Sequence, residues 1–359
     1  MTSSIIVAIG GLIFLVILHE LGHFLIAKKL GVRVDEFGIG YPPKLWGIKR
    51  GGTEYSLNLL PFGAFVRLAG EEDESADSGS YRAQPLWGKA LILSGGVIAF
   101  WIVAWALYSI LAGTSGIVTA VADEAINPRY EARVQILGVA PGSPAEASGL
   151  MPGDTILAVG RQEKALTVSL VQEEVNLFRG KDLTILLERN GTRQSVSLEP
   201  RLTPPSDQGP AGIMLALVQN IRSPWYTAPL KGGQVAGEVT LHVVRGLGVL
   251  LKSLIFDRQA LSGVEVQGPV GITRTLSLSL AQGASSFLSL LALIAVYLAV
   301  FNLIPLPVTD GGKLFLIFIQ SITGKTIPVS AERVMNAAVF SLLLLLMIWV
   351  TIKDIMRIW

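Results

Sequence analysis

The sequence predicts a polytopic α-helical membrane protein with about four transmembrane helices, a membrane-associated β hairpin or sheet on the cytoplasmic side, and one extracytoplasmic α+β domain. Hydrophobic residues occupy 51% of the 359 positions and charged residues only 16%, which favours membrane helices over one large soluble core. Four apolar runs supply the helices, and a turn-rich segment between the second and third runs supplies the external domain. The net charge of +2 is too small to indicate a nucleic-acid partner.

Each apolar run is long enough to cross a lipid bilayer, which requires about 20 residues. The runs lie near residues 5–27, 90–112, 286–306 and 334–352. The first run has neither the basic start nor the A-x-A-like cleavage site of a secretory signal. We therefore expect it to be retained as a transmembrane helix.

Basic residues predict the orientation of these helices in the membrane. Nine lysines and arginines lie between the first and second runs, and three lie between the third and fourth. By the positive-inside rule both connections are cytoplasmic. Both termini and the segment 113–285 are then expected on the outer side.

The first cytoplasmic connection has the alternating pattern of β structure. Residues 32–40, 45–49 and 54–59 alternate around a turn at 50–53, and residues 63–68 are compatible with one more strand. A short sheet beside a membrane site offers an edge strand to an extended peptide. A plain amphipathic hairpin fits the same pattern equally well.

The external segment from residue 138 to residue 159 is strongly patterned. It predicts a strand, a short helix capped by Ser143 with Glu146, a glycine stop, a Gly-Asp turn and a second strand. Over residues 116–216 the pattern resembles a bacterial PDZ domain, a fold that binds extended peptides or C-termini by strand addition. Two roles stay open: binding of such a peptide, or a filter that blocks proteins with bulky outer domains.

Residues 228–256 carry apolar side chains at helical spacing with charges interspersed, which predicts an amphipathic helix at the outer interface. The predicted organisation is an N-terminal membrane part (1–115), a PDZ-like domain (116–217), an interfacial helical linker (218–285) and a C-terminal membrane part (286–359).

The first run contains His19, Glu20 and His23 in the pattern H-E-x-x-H. Histidines four residues apart share one helix face, so both imidazoles can reach one Zn²⁺. The glutamate after the first histidine is then a candidate general base beside the metal. Three ionisable residues in an apolar run are costly unless they pair, bind a metal or face a wet cavity. A chance match to the pattern is therefore a poor explanation.

A third protein ligand is expected at Asp310. The extended motif of soluble enzymes would need a glycine and a histidine where Ile26 and Lys29 stand. Two prolines and two glycines within residues 302–312 have to break the third run, and broken helices at membrane depth line functional sites. The first and third runs point the same way, so His19, about 20 Å along its helix, and Asp310 both fall in the cytoplasmic third. A helix cap is the alternative role for Asp310.

Taken together, these motifs resemble the site-2 protease family, in the branch of the bacterial regulator of sigma-E protease. They are HELGH in the first run, Gly38-Ile39-Gly40 before a hairpin, one PDZ-like domain, the segment 268–272 and N-L-I-P-L-P-V-T-D-G-G. The match covers nearly the whole chain. It implies a multi-pass protein of the bacterial cytoplasmic membrane with its active site toward the cytoplasm. It further implies cleavage of single-span membrane proteins, such as anti-sigma-factor-like regulators or remnant signal peptides, after trimming on the outer side.

The resemblance implies roles for individual residues. His19, His23 and Asp310 hold Zn²⁺, and Glu20 moves the proton of the attacking water to the leaving amine. The implied substrate contacts are Asn302, which touches the substrate or the transition state, and the hairpin with Gly38 and Gly40, which holds the substrate as a strand.

Three positions depart from the family pattern. Residues 94–100 replace a usual Gly-Pro and Asn, residues 308–309 replace a small residue and a leucine, and Ala64 replaces a glycine. None of these is a proposed metal ligand, so activity remains the expectation. The rival functions are a catalytically inactive PDZ scaffold in the membrane and a metal transporter, since intramembrane His and Asp also mark ion paths. Zinc content separates the protease from a scaffold.

Overall fold

The computed structural model describes residues 2–71, 77–123, 130–162, 167–189, 191–205, 208–256, 267–325 and 328–358. The chain divides into two compact units, which we call the membrane unit (Met1–Ser109 with Pro229–Trp359) and the α+β unit (Ile110–Ala228). The α+β unit includes the whole PDZ-like segment with short flanks on both sides. Residues 257–266 of the predicted interfacial linker lie outside the described residues.

The helices and strands follow the predicted alternation of membrane and β segments. In chain order they are α1 (Thr2–Lys29), β1 (Val34–Arg50), β2 (Thr53–Leu68), α2 (Leu86–Gly113), β3 (Ile117–Val121), β4 (Ala132–Val139), α3 (Pro144–Ala147), β5 (Thr155–Val159), α4 (Val168–Leu177), β6 (Leu183–Arg189), β7 (Thr192–Leu198), β8 (Ile213–Ile221), α5 (Ala228–Phe256), α6 (Pro269–Gln282), α7 (Ala284–Asn302), α8 (Asp310–Thr323) and α9 (Val329–Ile358).

Four described helices are long and apolar enough to cross a membrane, which confirms the predicted number. They are Ser3–Lys29 in α1, Leu86–Gly113 in α2, Ala284–Asn302 in α7 and Ser330–Met356 in α9. The third span ends at Asn302 rather than near residue 306, because the Pro-rich segment that follows cannot continue the helix.

Three of the spans, together with α6, share one buried core. The core contains both small and larger residues, such as Ala8 and Leu15 of α1 and Ala295 and Val296 of α7, all fully buried. Small residues let membrane helices approach closely and gain van der Waals contact. In α9, by contrast, only 6% of the most apolar window is buried. One anchor of α9 is the buried carboxylate of Asp354, which accepts a 2.7 Å hydrogen bond from the Gly271 amide at the start of α6.

The first connection forms a long bent hairpin. The predicted turn is present, with Gly51 and Gly52 at positive φ between β1 and β2. The four predicted strand segments are merged into two strands, and residues 36–39 of β1 lie beside both 54–57 and 64–67 of β2. Phe24 of α1 packs edge-on against Phe37, with ring centroids 5.5 Å apart, so the hairpin is held against the helix that carries the histidines.

The α+β unit is a six-stranded antiparallel sheet with strand order β3-β8-β4-β5-β6-β7. Its core is aliphatic, and Val134, Ile136 and Ile185 are fully buried. The predicted cap of the short helix is confirmed, since the Ser143 hydroxyl accepts from the Glu146 amide at 3.2 Å. The predicted glycine stop is confirmed as well, with Gly149 at φ +79°.

The predicted helix over residues 228–256 is confirmed as α5 with the same bounds. Gly246 and Gly248, which lower helix propensity, do not interrupt it. Helix α5 packs part of its apolar face, including Val239 and Val243, against the core of the membrane unit.

Candidate metal centre

Helix α1 presents His19 and His23 on one face, as the i, i+4 spacing requires. The two Nε2 atoms are 3.2 Å apart, and the rings meet edge-on with centroids 4.7 Å apart. Each residue is only 9% exposed. Two imidazole nitrogens thus converge on one point in a buried setting.

Asp310, the first residue of α8, completes a group of three. Its Oδ2 lies 3.5 Å from Nε2 of His19 and 3.4 Å from Nε2 of His23. Within the described part of the chain, this is the one cluster of three or more His, Cys, Asp or Glu side chains that could hold a metal ion. The structure therefore brings together three residues that lie up to 291 positions apart in the sequence.

The spacing of these atoms fits a zinc ion. Tetrahedral ligands at about 2.0–2.2 Å from zinc are separated from one another by roughly 3.3–3.6 Å, close to the 3.2, 3.4 and 3.5 Å seen here. The buried Oδ2 of Asp310 has no hydrogen-bond partner among the described residues. A buried carboxylate oxygen in that state is costly unless it binds a cation.

His23 is oriented by the backbone of α2. Its Nδ1 donates to the Ile92 carbonyl at 2.9 Å, which leaves the lone pair on Nε2 free, as metal-binding histidines require. His19 is held differently, with its ring stacked on Phe100 at a centroid distance of 4.5 Å. Helix α2 thus positions both histidines, although the sequence motif lies wholly in α1.

Two glycines of α2 make that close approach possible, and sequence reasoning missed their role. A Cβ on Gly96 would lie 2.2 Å from Nε2 of His23, and a Cβ on Gly95 would lie 2.7 Å from the Gly22 carbonyl oxygen. Any larger residue would push α2 away from the histidines. The available signal was a Gly-Gly pair within a membrane-spanning run, a pattern that favours a tight helix contact. Sequence analysis treated this stretch only as a departure from the family pattern.

The loop between α7 and α8 places Asp310. Thr309 caps α8: its hydroxyl accepts from the Gly312 amide at 3.2 Å and donates to the Ile304 carbonyl at 2.7 Å. A Cβ on Gly311 would lie 2.3 Å from the Leu303 carbonyl oxygen, so the loop folds directly onto the first turn of α8. The predicted break of the third run thus forms a hydrogen-bonded, closely packed loop that leads into the aspartate.

Glu20 follows His19 and is partly buried. The backbone of Val66 in β2 and the charges of His23 and Asp310 all act on its carboxylate. The carboxylate thus lies near the hairpin and near His23 and Asp310. Its role as the group that moves a proton remains a prediction.

The residues predicted to contact substrate each have local contacts within the protein. The Asn302 amide donates to the Leu298 carbonyl of its own helix at 2.9 Å. Gly38 lies in β1 where a Cβ would meet the Phe65 ring at 2.3 Å, and Gly40, at φ +77°, lies against the Leu60 carbonyl. Both glycines thus have a packing reason for their identity, and their contact with substrate remains a prediction.

Comparison with known proteins gives a consistent result. The profile of Peptidase family M50 matches residues 7–346. The chain is 35% identical over 341 residues to "Putative zinc metalloprotease CPE1693" of Clostridium perfringens, with 95% of each chain covered. It is 25% identical over 434 residues to "Zinc metalloprotease RasP" of Geobacillus kaustophilus, covering 99% of this chain and 97% of that protein.

Proposed function

This chain belongs to peptidase family M50, the site-2 protease family, and is a zinc metalloprotease; on that premise we propose that it cleaves peptide bonds inside the membrane, within the transmembrane segments of single-span proteins. One observation carries the proposal. The His19–His23 pair lies on a helix apolar enough to cross a membrane, and Asp310 begins the helix that follows the break of another such helix. A metal site in that setting meets substrates that are themselves in the bilayer.

In this proposal His19, His23 and Asp310 hold the zinc, and a fourth position stays open for water or substrate. Zinc, when bound, polarises the scissile carbonyl and lowers the pKa of its water. Glu20 takes the proton from that water and passes it to the leaving amine, so that no charged amide anion has to leave. The apolar surroundings strengthen these electrostatic effects.

Asn302 is proposed to stabilise the oxyanion of the tetrahedral intermediate. A side-chain amide has two N–H donors, and among the described residues one of them is used, toward Leu298. The second is available for a developing negative charge, where one lost donor typically costs about 100-fold or more in kcat.

A transmembrane helix has to unwind before its backbone can be attacked. We propose that the hairpin holds the unwound substrate by strand addition, with Gly38 and Gly40 keeping β1 close to its neighbours. Segments with Gly, Pro or other weak helix formers are the favoured substrates, because they unwind at lower cost. Anti-sigma-factor-like regulators and remnant signal peptides are the proposed natural classes.

The proposed location is the bacterial cytoplasmic membrane, with the metal site toward the cytoplasm and the α+β unit outside. The nine basic residues of the first connection support this orientation.

The six strands of the α+β unit, together with the capped helix α3, support a PDZ-like domain. We propose that it acts as a size filter for outer domains, with capture of a peptide or C-terminus as the competing role. Membership of a metalloprotease family favours a catalytically active protein over an inactive PDZ scaffold.

The decisive experiment is Glu20→Gln. We expect about one zinc per chain to remain, with cleavage reduced by several orders of magnitude, because the proton acceptor is lost while the ligands are kept. The probe is a tagged single-span protein that has no outer domain and whose apolar segment contains one Gly-Pro pair. Glu146→Gln is the matched control, since Gln also serves in a capping box. Near-normal cleavage by zinc-loaded Glu20→Gln would assign the base to another group.

A further inference from the structure

An ion pair joins the hairpin to the helix of the metal ligand. Nζ of Lys313 lies 2.6 Å from Oε1 of Glu71, and the side chains are only 30% and 24% exposed. The two residues are 242 positions apart in the sequence. A long-range pair in a partly buried setting is expected to be more than a mobile surface contact.

The lysine end of the pair belongs to the support of Asp310. Lys313 is three residues after Asp310 in the first turn of α8, and its amide bonds the Thr309 carbonyl at 3.2 Å. Residues three apart lie on the same helix face. A displacement of Lys313 would therefore shift the same helical turn that contains Asp310.

The glutamate end belongs to the support of Glu20. Strand β2 ends at Leu68, and Gly70, at φ +72°, turns the chain so that Glu71 faces α8. The Glu71 amide returns to the Leu68 carbonyl at 3.2 Å, which makes this turn tight. Val66 lies within β2, five residues before Glu71, and its backbone acts on the Glu20 carboxylate.

We propose that Glu71 and Lys313 form a positioning pair that sets the distance between the base Glu20 and the ligand Asp310. The pair links the turn after β2 to the first turn of α8. Strand β2 contains Val66, whose backbone acts on Glu20, and α8 begins with Asp310. This inference rests on the proposed function of Glu20 and Asp310. Neither member of the pair is required to touch the substrate.

The charges nearby support the same arrangement. Glu20, Asp310 and Glu71 bring negative charge to this region, and Lys313 and a bound Zn²⁺ would each offset part of it. Burial lowers the pKa of Lys313, but the Glu71 charge, with smaller contributions from Asp310 and Glu332, outweighs it and raises the pKa overall. The lysine is therefore charged at neutral pH.

The test measures kcat, KM and zinc content for Lys313→Gln, Glu71→Gln and the double variant, with the tagged Gly-Pro single-span probe. We expect each single variant to keep about one zinc per chain and a KM within about threefold, with kcat reduced about 10- to 50-fold. The double variant should be no worse than either single one, since both remove the same link. Lys313→Arg should regain at least a third of wild-type kcat. Lys325→Gln, the same change at an exposed position, should match the wild type.

Any of three results would contradict the proposed positioning role of the pair. They are wild-type kcat in Lys313→Gln, strictly multiplicative losses of kcat in the double variant, and no rescue of kcat by Lys313→Arg. If Lys313→Gln loses zinc or unfolds, the charge-swapped Glu71→Lys/Lys313→Glu chain decides: recovery of kcat supports the pair and its absence overturns it. Failure of the wild-type chain to bind zinc or cleave the probe would instead overturn the proposed function itself, and the inference with it.

Discussion

Two buried aspartates, one in each unit, show how the same side chain serves two purposes. Asp154 of the α+β unit is 1% exposed and is fully satisfied: Arg189 donates to both of its oxygens at 2.6 Å, and the Met151 amide donates at 2.9 Å. Asp310 of the membrane unit faces two imidazole nitrogens and has an oxygen without a hydrogen-bond partner among the described residues. A buried carboxylate whose oxygens accept hydrogen bonds stabilises a fold. A buried carboxylate that faces the imidazole nitrogens of two histidines is instead suited to binding a cation.

The strongest test of this comparison replaces each aspartate by alanine. Asp310→Ala should lose the zinc and abolish cleavage, because a two-histidine site lacks a third ligand. Asp154→Ala should keep the zinc and lower the thermal stability of the α+β unit, since Arg189 loses its carboxylate partner. Zinc content per chain and a melting curve separate the two. Full zinc occupancy in Asp310→Ala would remove Asp310 from the ligand set.

The comparison is sharpened by the glycines of α2. Gly96→Ala should weaken zinc binding and cleavage by about 10- to 100-fold, the scale seen when groups that orient metal ligands are disturbed, because its Cβ would meet Nε2 of His23. Gly237→Ala is the matched control, since a Cβ there meets no atom within 4 Å. Competition with a chelator measures the change. Equal zinc affinity in both variants would show that α2 can move away without cost.

A smaller effect is expected at Thr309. Thr309→Val keeps the shape but removes the hydroxyl that caps α8 and bonds the loop, and loss of such a cap costs about 1 kcal/mol. Thr309→Ser keeps the hydroxyl and should behave like the wild type. We expect a fall of a few fold in cleavage rate for valine alone, measured on the zinc-loaded proteins. Wild-type rates in Thr309→Val would mean that the loop holds Asp310 without this cap.

The smallest effect on chemistry is expected from removing the α+β unit. Residues 117–221 would be replaced by a short Gly-Ser linker. This variant should cleave the tagged Gly-Pro probe, which has no outer domain (the trimmed probe), at a near-normal rate. It should also cleave the same probe with a folded outer domain attached. The product length in membranes reports both. Loss of cleavage of the trimmed probe, with zinc retained, would contradict the filter and assign substrate delivery to this unit.

Much of the architecture could be predicted from local patterns. The four spans, the helix over 228–256 and the Ser143 cap each depend on residues close together in the sequence, so composition and spacing were sufficient. The hairpin was less predictable. Residues 36–39 pair on both sides, and strand partners so far apart leave no local signal.

The sequence by itself determined the chemistry of the site. H-E-x-x-H spacing places two histidines on one helix face, and a proline- and glycine-rich break before Asp310 marks where a third ligand can approach. Only the tertiary structure decided how these groups are held. The Ile92 carbonyl that orients His23 and the space left by Gly96 both come from helix α2. A backbone carbonyl, or a glycine that leaves space for a neighbour, forms no recognisable sequence motif. Its effect on the site arises only when packing brings the helices into contact.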